Sequence, residues 1–211
     1  MTVNPRRVSW DERHRAGDFE GHGPNPTLMA ALSGLPGPGE APGRALELAC
    51  GSGTNAVWIA GRGWRTTAVD WSPVGLANGR ARARAARVVV KWLERDLFEW
   101  SPPERSFDLV VIVYLHLPPH ERQPVYQRAA AAVAPGGRLV IVGHHRAEVG
   151  EGVSGPTPDR LFTAEEIALP LVGADRELKV ERADSVRQVM PPGHGPIDAL
   201  LILRRKQVDQ E

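Results

Sequence analysis

Cysteine occurs once in the 211 residues, at Cys50, so no internal disulfide can form and a reducing compartment is expected. Net charge is nearly absent as well. The 26 basic and 25 acidic residues leave a formal +1, too little for a whole-molecule field that would draw the protein onto nucleic acid or an anionic membrane. Long apolar runs are missing: none approaches the ~20 residues needed to span a bilayer. The polar start MTVNPRRVSWDERHRAGD lacks the apolar core of a signal peptide. Internal repeats are lacking too, and seven histidines with one cysteine show no metal-ligand spacing such as H-x-x-x-H on a helix. These absences point to a cytoplasmic protein with a small-molecule partner and no nucleic-acid, membrane or metal role; oligomeric state is not readable. With 42% hydrophobic residues, the chain can fill one full α/β core but hardly two.

What is present is alternation. Short β-branched, apolar runs recur at RALEL (44–48), TTAVD (66–70), RVVVKWL (87–93), FDLVVIVY (107–114) and RLVIVG (138–143). Apolar on both faces, they read as central strands of a parallel sheet, with Thr54–Gly63, Pro73–Ala86 and Pro119–Ala134 as crossover helices. GRARARAAR (79–87) then becomes a solvated helix face. After residue 150 the pattern changes: GEGVSGPTPD (150–159) is a loop and TAEEIALPL (163–171) a capped helix. RELKVERADSVRQV (176–189) and IDALLILRRK (197–206) flank MPPGHGP (190–196) and must pair antiparallel. The expectation is a doubly wound α/β domain over 44–206, a seven-stranded sheet closed by an antiparallel hairpin, after an N-terminal extension over 1–43. That hairpin separates it from the dinucleotide-binding form, whose sixth strand is parallel.

In ELACGSGT, Gly51 and Gly53 let the backbone turn tightly and approach a ligand without a Cβ in the way. Ala49 stands where such loops commonly carry glycine, a small penalty unless that residue needs positive φ. Glu47 at the mouth of the loop would repel a pyrophosphate but suits a cation such as S-adenosyl-L-methionine, with its ammonium and sulfonium groups. Asp70, ending the second strand, is placed to accept from both ribose hydroxyls, with a helix N-cap as its competing role. Asp96, just past the third strand, can receive an adenine amino group with Leu97 beside the ring, or it is a loop acid.

Here the chain resembles the class I S-adenosylmethionine-dependent methyltransferases, through LELACGSGT, the acid in AVDWS, ERDLFEW, SFDLVVIVYLHLP and VAPGGRLVIVGHH, over about residues 40–205. WDERHRAGDFEGHGPNPTL and CGSGTNAVWIAGRGWRTTAVDWSPVGL look more narrowly like the tellurite-resistance and thiopurine S-methyltransferase branch. The resemblance implies a Rossmann-like methyltransferase fold and S-adenosyl-L-methionine as cofactor. It assigns Glu47, Ala49, Gly51 and Gly53 to the methionine moiety, Asn55 to an added hydrogen bond, Asp70 to the ribose, and Asp96 with Leu97 to the adenine. Trp71 joins this set, with packing as its alternative. Trp10, Asp11, Arg13, His14 and Phe19 become a lid, with Arg13 on the methionine carboxylate or simply at the surface. VYLHLPP (113–119) lacks the Asn/Asp-Pro-Pro-Tyr signature of polymer amide methyltransferases.

For the acceptor, Tyr114 and His116 leave the fourth strand and His144 and His145 leave the fifth; adjacent residues face opposite ways, so one of the latter pair faces the site. His116 is either a general base or a wall residue bonded to backbone. No base is unmistakable, which favours a thiol or chalcogen acceptor. O- or N-methylation of a small aromatic metabolite using His116 or His144 stays open, as does a non-catalytic cofactor-binding protein. A nicotinamide oxidoreductase is disfavoured by Glu47, Asp96, the hairpin and the lack of a Tyr-x-x-x-Lys pair.

Overall fold

The computed structural model of the protein describes residues 5–18, 21–33, 43–148, 156–190 and 193–207. Helices α1 (Pro5–Ala16) and α2 (Pro26–Leu32) precede the alternating core. That core runs β1 (Arg44–Leu48), α3 (Thr54–Gly61), β2 (Arg65–Asp70), α4 (Pro73–Ala86), β3 (Val90–Glu94), β4 (Phe107–Val113), α5 (Pro119–Ala131) and β5 (Val133–His144). It closes with α6 (Ala164–Ala174), β6 (Leu178–Met190) and β7 (Gly193–Arg205). The seven strands lie in the order β3-β2-β1-β4-β5-β7-β6, the first five parallel and β7 antiparallel to both its neighbours. This is the α/β Rossmann-like methyltransferase fold, with its antiparallel C-terminal hairpin.

The apolar runs form central strands because both of their faces are covered. Leu46, Leu48, Val110, Ile112, Leu139 and Ile141 pack with residues of α5 and α6. Their alternates Ala45, Leu109, Val111, Val140 and Val142 pack with Leu28 and Leu32 of α2 and Ile59 of α3. Glu47, two residues beyond Ala45, therefore shares the α2/α3 face of the sheet. Helix starts follow local chemistry: Asn25 accepts from the Leu28 N–H and caps α2, Ser72 accepts from the Gly75 N–H and caps α4, and Thr163 with Glu166 forms a capping box on α6.

Boundaries differ from expectation where pairing or dihedrals decide them. The third strand begins at Val90 rather than Arg87, because Arg87 takes φ 55° and ends α4. β5 begins at Val133, reaching back through VAPGG, so the preceding helix stops at Ala131. β6 and β7 pair to Met190↔Gly193, which draws part of MPPGHGP into the hairpin. LPGPGEAPG up to residue 42, Phe19 and residues 149–155 lie outside the described residues. No described helix is long and apolar enough to cross a membrane, and no group of three or more His, Cys, Asp or Glu among the described residues is arranged to hold a metal.

Candidate active site

Strand order reverses between β1 and β4, and in open α/β sheets ligands bind in the crevice beyond the carboxyl ends of the strands at such a point. The loop after β1 lies there. Gly51 and Gly53 take φ of 51° and 68°, the left-handed region that favours glycine, and a Cβ on Gly53 would lie 2.4 Å from the Trp92 ring. Ala49 also sits there, at φ 54°. It therefore meets the condition under which its penalty is not small: an L-residue in this region carries roughly 1 kcal/mol of strain.

Glu47 is 2% exposed, within β1 between Ala68 of β2 and Val111 of β4. Its Oε1 accepts from Asn55 Nδ2 at 3.0 Å and the Ala56 N–H also acts on the carboxyl, while its buried Oε2 makes no contact of full hydrogen-bond geometry. Burial pushes this carboxyl up to about 8 against the pull of its hydrogen bonds, with nearby Asp70 adding to the rise. A buried acid with an open oxygen at a ligand crevice fits an ammonium group, whose arrival would satisfy the atom and restore its charge. Asn55 is placed differently from expectation. Its amide is engaged at both ends, Nδ2 on Glu47 and Oδ1 accepting the Asn25 N–H at 2.9 Å, so it orients Glu47.

Asp70, 7% exposed, accepts the Gly51 N–H on Oδ2 and the Ser72 N–H on Oδ1, each at 2.8 Å. These bonds lock the glycine loop to the end of β2, and burial raises the Asp70 carboxyl above the usual range. The Trp71 N–H also acts on this carboxylate, which keeps acceptor capacity for a further donor such as a ribose hydroxyl. Asp96 follows β3 directly and accepts the Phe98 N–H on Oδ1, closing a turn beside Leu97. The adjacent backbone is tied to Asp70, whose carbonyl accepts the Arg95 N–H. Trp71 packs edge-on against Phe98, ring centroids 6.3 Å apart.

Helix α1 lies along this edge. Arg6 makes a bidentate pair with Glu121 of α5, Arg7 pairs with Glu94 at the end of β3, and Ser72 Oγ donates to Asp11. Asn78 donates to the His14 carbonyl, and a Cβ on Gly51 would lie 3.4 Å from the buried His14 ring. His14 thus sits over the glycine loop, where burial lowers its imidazole against the opposing pull of Asp70. Trp10 is 39% exposed, with the Arg13 guanidinium 4.7 Å above its ring. Arg13 is paired with Asp18 at 3.0 Å, both side chains well exposed, which matches the surface alternative of its two readings. Phe19 falls outside the described residues.

At the exits of β4 and β5 the rings of Tyr114, His116 and His144 stack, with centroids 4.4 Å apart for Tyr114–His144 and 4.9 Å for His116–His144. Tyr114 reaches this position with φ 57°, a strained value for a bulky residue, held by its N–H bond to Val142 O and by its hydroxyl. His116 as a general base is corrected. Its Nε2 lone pair accepts the His144 backbone N–H at 3.0 Å, and burial, with His144 adding to the fall, brings the imidazole down to about 3. It is a neutral wall residue. Tyr114 is likewise turned inward: its hydroxyl donates to Asp198 Oδ1 at 3.0 Å and accepts from Gln188 Nε2 at 2.6 Å, and desolvation beside Asp198 pushes the phenol well up. His145 faces elsewhere, its Nδ1 accepting the Ala147 N–H. Asp198, fully buried in β7, was missed from sequence, as were Gln188 and Thr27, which donate to its Oδ2 at 2.7 and 2.6 Å. The one signal was an acid heading the apolar run IDALLIL.

The doubly wound sheet with a reversed last strand is that of the Rossmann-like methyltransferase fold, and the glycine turn and the two acids lie at the carboxyl ends of its first two strands. A family model described as a methyltransferase domain matches residues 45–137. The chain is 32% identical over 105 residues to the demethylmenaquinone methyltransferase of Thermus thermophilus, a match over 49% of this chain and 48% of that one. It thus spans about half the length of the curated relative it matches. Among solved structures, the magnesium protoporphyrin IX methyltransferase of Synechocystis with bound SAH superposes with a TM-score of 0.65 at 16% identity, covering 98% of this chain and 90% of that chain. TehB from Haemophilus influenzae gives 0.66 at 15% identity, over 93% and 67%. At such identities these two likenesses speak for the fold, and they do not separate the tellurite branch from others.

Proposed function

We infer that the protein transfers the methyl group of S-adenosyl-L-methionine to a small-molecule acceptor. The observation that carries this reading is the open, buried Oε2 of Glu47 beside the left-handed glycine loop, a carboxyl waiting for a cation. Glu47 and the loop at Gly51–Gly53 would hold the methionine end, Asp70 the ribose, and Asp96 with Leu97 the adenine. When bound, the cofactor supplies an electrophilic methyl on sulfonium; the chain's own part is to orient the acceptor and exclude water, for which α1 and the ring wall are placed. The match of residues 45–137 to a methyltransferase domain supports the same reading. Calorimetric titration with S-adenosylhomocysteine beside NADH and NADPH tests it. Saturable binding of the first alone is expected; binding of a nicotinamide cofactor alone overturns it.

A thiolate or chalcogen acceptor, the branch-like reading, asks only for orientation and a dry site. An acceptor that must lose a proton gains from one specific observation, the approach of His144 to Asp198.

A further inference from the structure

We propose that His144 and Asp198 form a general-base pair, and that the acceptor is a hydroxyl compound whose proton His144 removes as the methyl is transferred. This rests on the methyltransferase reading above.

Asp198 is sealed from solvent yet receives three side-chain donors, the Tyr114 and Thr27 hydroxyls and the Gln188 amide. Acceptor-only chemistry of that kind belongs to an ionised carboxylate. His144 Nδ1 is 3.7 Å from Asp198 Oδ1, just beyond hydrogen-bond length, is buried, and has no hydrogen-bond partner among the described residues. A proton on Nδ1 therefore faces the carboxylate, which leaves Nε2 with its lone pair as the nitrogen an acceptor can reach on a ring 27% exposed. Such contacts are commonly long before substrate binds and shorten when the imidazole becomes cationic. The groups facing His144 are Tyr114 and His116 from the β4 exit and Asp198 from β7; Arg122 and Arg160 act on His116 behind it. Of these only Asp198 favours a cationic His144.

The pair is built into the same scaffold as Glu47. The Asn25 N–H bonds Asn55, which bonds Glu47, and Thr27, two residues on, bonds Asp198. The N-terminus of α2 thereby fixes the base relative to the cofactor's acid. In the step itself, the acceptor O–H bond breaks toward Nε2 and the oxygen forms its bond to the methyl carbon. The carbon–sulfur bond breaks with its electron pair passing to sulfur, and the imidazolium then returns its proton to water. Asp198 acts through His144 and is a positioning residue.

The test reads the imidazole nitrogens by NMR in the full chain, with and without S-adenosylhomocysteine, His144 being assigned with His144→Gln. The expected result is the Nδ1–H form of neutral His144, and in Asp198→Asn a loss of that tautomer preference. An Nε2–H form in the wild-type protein overturns the proposal and needs no variant to fold. Turnover is followed in parallel with catechol and 4-nitrophenol as hydroxyl probes and thiophenol as the thiol probe. His144→Gln should lower hydroxyl methylation about 100-fold or more and Asp198→Asn should lower its kcat more than its KM, with a smaller loss on the thiol than on the hydroxyl probes in both variants. Hydroxyl turnover unchanged in His144→Gln sinks the pair. Failure of S-adenosylhomocysteine to bind would instead remove the methyltransferase reading while leaving the tautomer result standing.

Discussion

Replacing Glu47 by Gln isolates the charge that burial holds in check. The folded protein keeps its Glu47 proton up to about pH 8, whereas an unfolded glutamate releases it near its ordinary value of 4.5. Across that window the folded state binds more protons than the unfolded one, so the contribution of this residue to stability falls as pH rises. At pH 7 the deficit is about 2.5 pH units at 1.36 kcal/mol each, or about 3 kcal/mol, growing to about 5 kcal/mol by pH 9. Glutamine retains the bond from Asn55 and never ionises. Glu47→Gln should therefore match the wild type near pH 4.5 and exceed its stability by about 3 kcal/mol at pH 7. Denaturant unfolding at several pH values measures this, and groups not coupled to Glu47 cancel in the difference. The same variant should bind S-adenosylmethionine more weakly. Calorimetry in two buffers of different ionisation enthalpy should show close to one proton released per cofactor by the wild type at pH 7 and none by the variant. Parallel stability curves for the two proteins from pH 5 to 9 would refute the reasoning, because Glu47 would then be ionised in the fold without a partner cation.

Four further outcomes follow from the same loop and rings. Ala49→Gly should stabilise the protein by about 1 kcal/mol in thermal unfolding, by releasing the strain at φ 54°. Gly53→Ala should destabilise it by roughly 2 kcal/mol or more, since its Cβ meets Trp92 at 2.4 Å on a left-handed backbone; a neutral effect would mean that the ring gives way. Asp70→Asn should weaken S-adenosylhomocysteine binding by about 1.5–3 kcal/mol, and unchanged affinity in a folded variant would remove its ribose role. His116→Gln should leave the position of the pH–rate limbs unchanged, because its Nε2 already accepts a backbone N–H; a lost limb would restore it as a base.

Alternation of short apolar runs with helical segments made the parallel core legible, because a strand covered on both faces has to be apolar throughout and its crossovers need helices. The Pro/Gly break between two late strands required antiparallel pairing for the same kind of reason. Glu47, Gly51, Gly53 and Asp70 were readable for a different one: each lies at the end of a strand or in the turn that follows it, where local turn chemistry fixes its position. His116 and Arg13 could not be assigned this way. Whether an imidazole is a base depends on what its lone pair meets, and the His144 N–H that meets it lies 28 residues away. Asn55 looked like a ligand contact for want of its partners, Asn25 and Glu47.

The sequence by itself determined the architecture and the acid-and-glycine edge of the site, since both follow from periodicity and from backbone turns local in the chain. Only the tertiary structure decided which side chains are free to act. It brought Asp198 beside His144 through the antiparallel pairing of β7 with β5, closed Tyr114 and His116 by hydrogen bonds, and buried Glu47 beneath α2. Burial and partnership across distant segments set proton affinity, and no spacing along the chain encodes them.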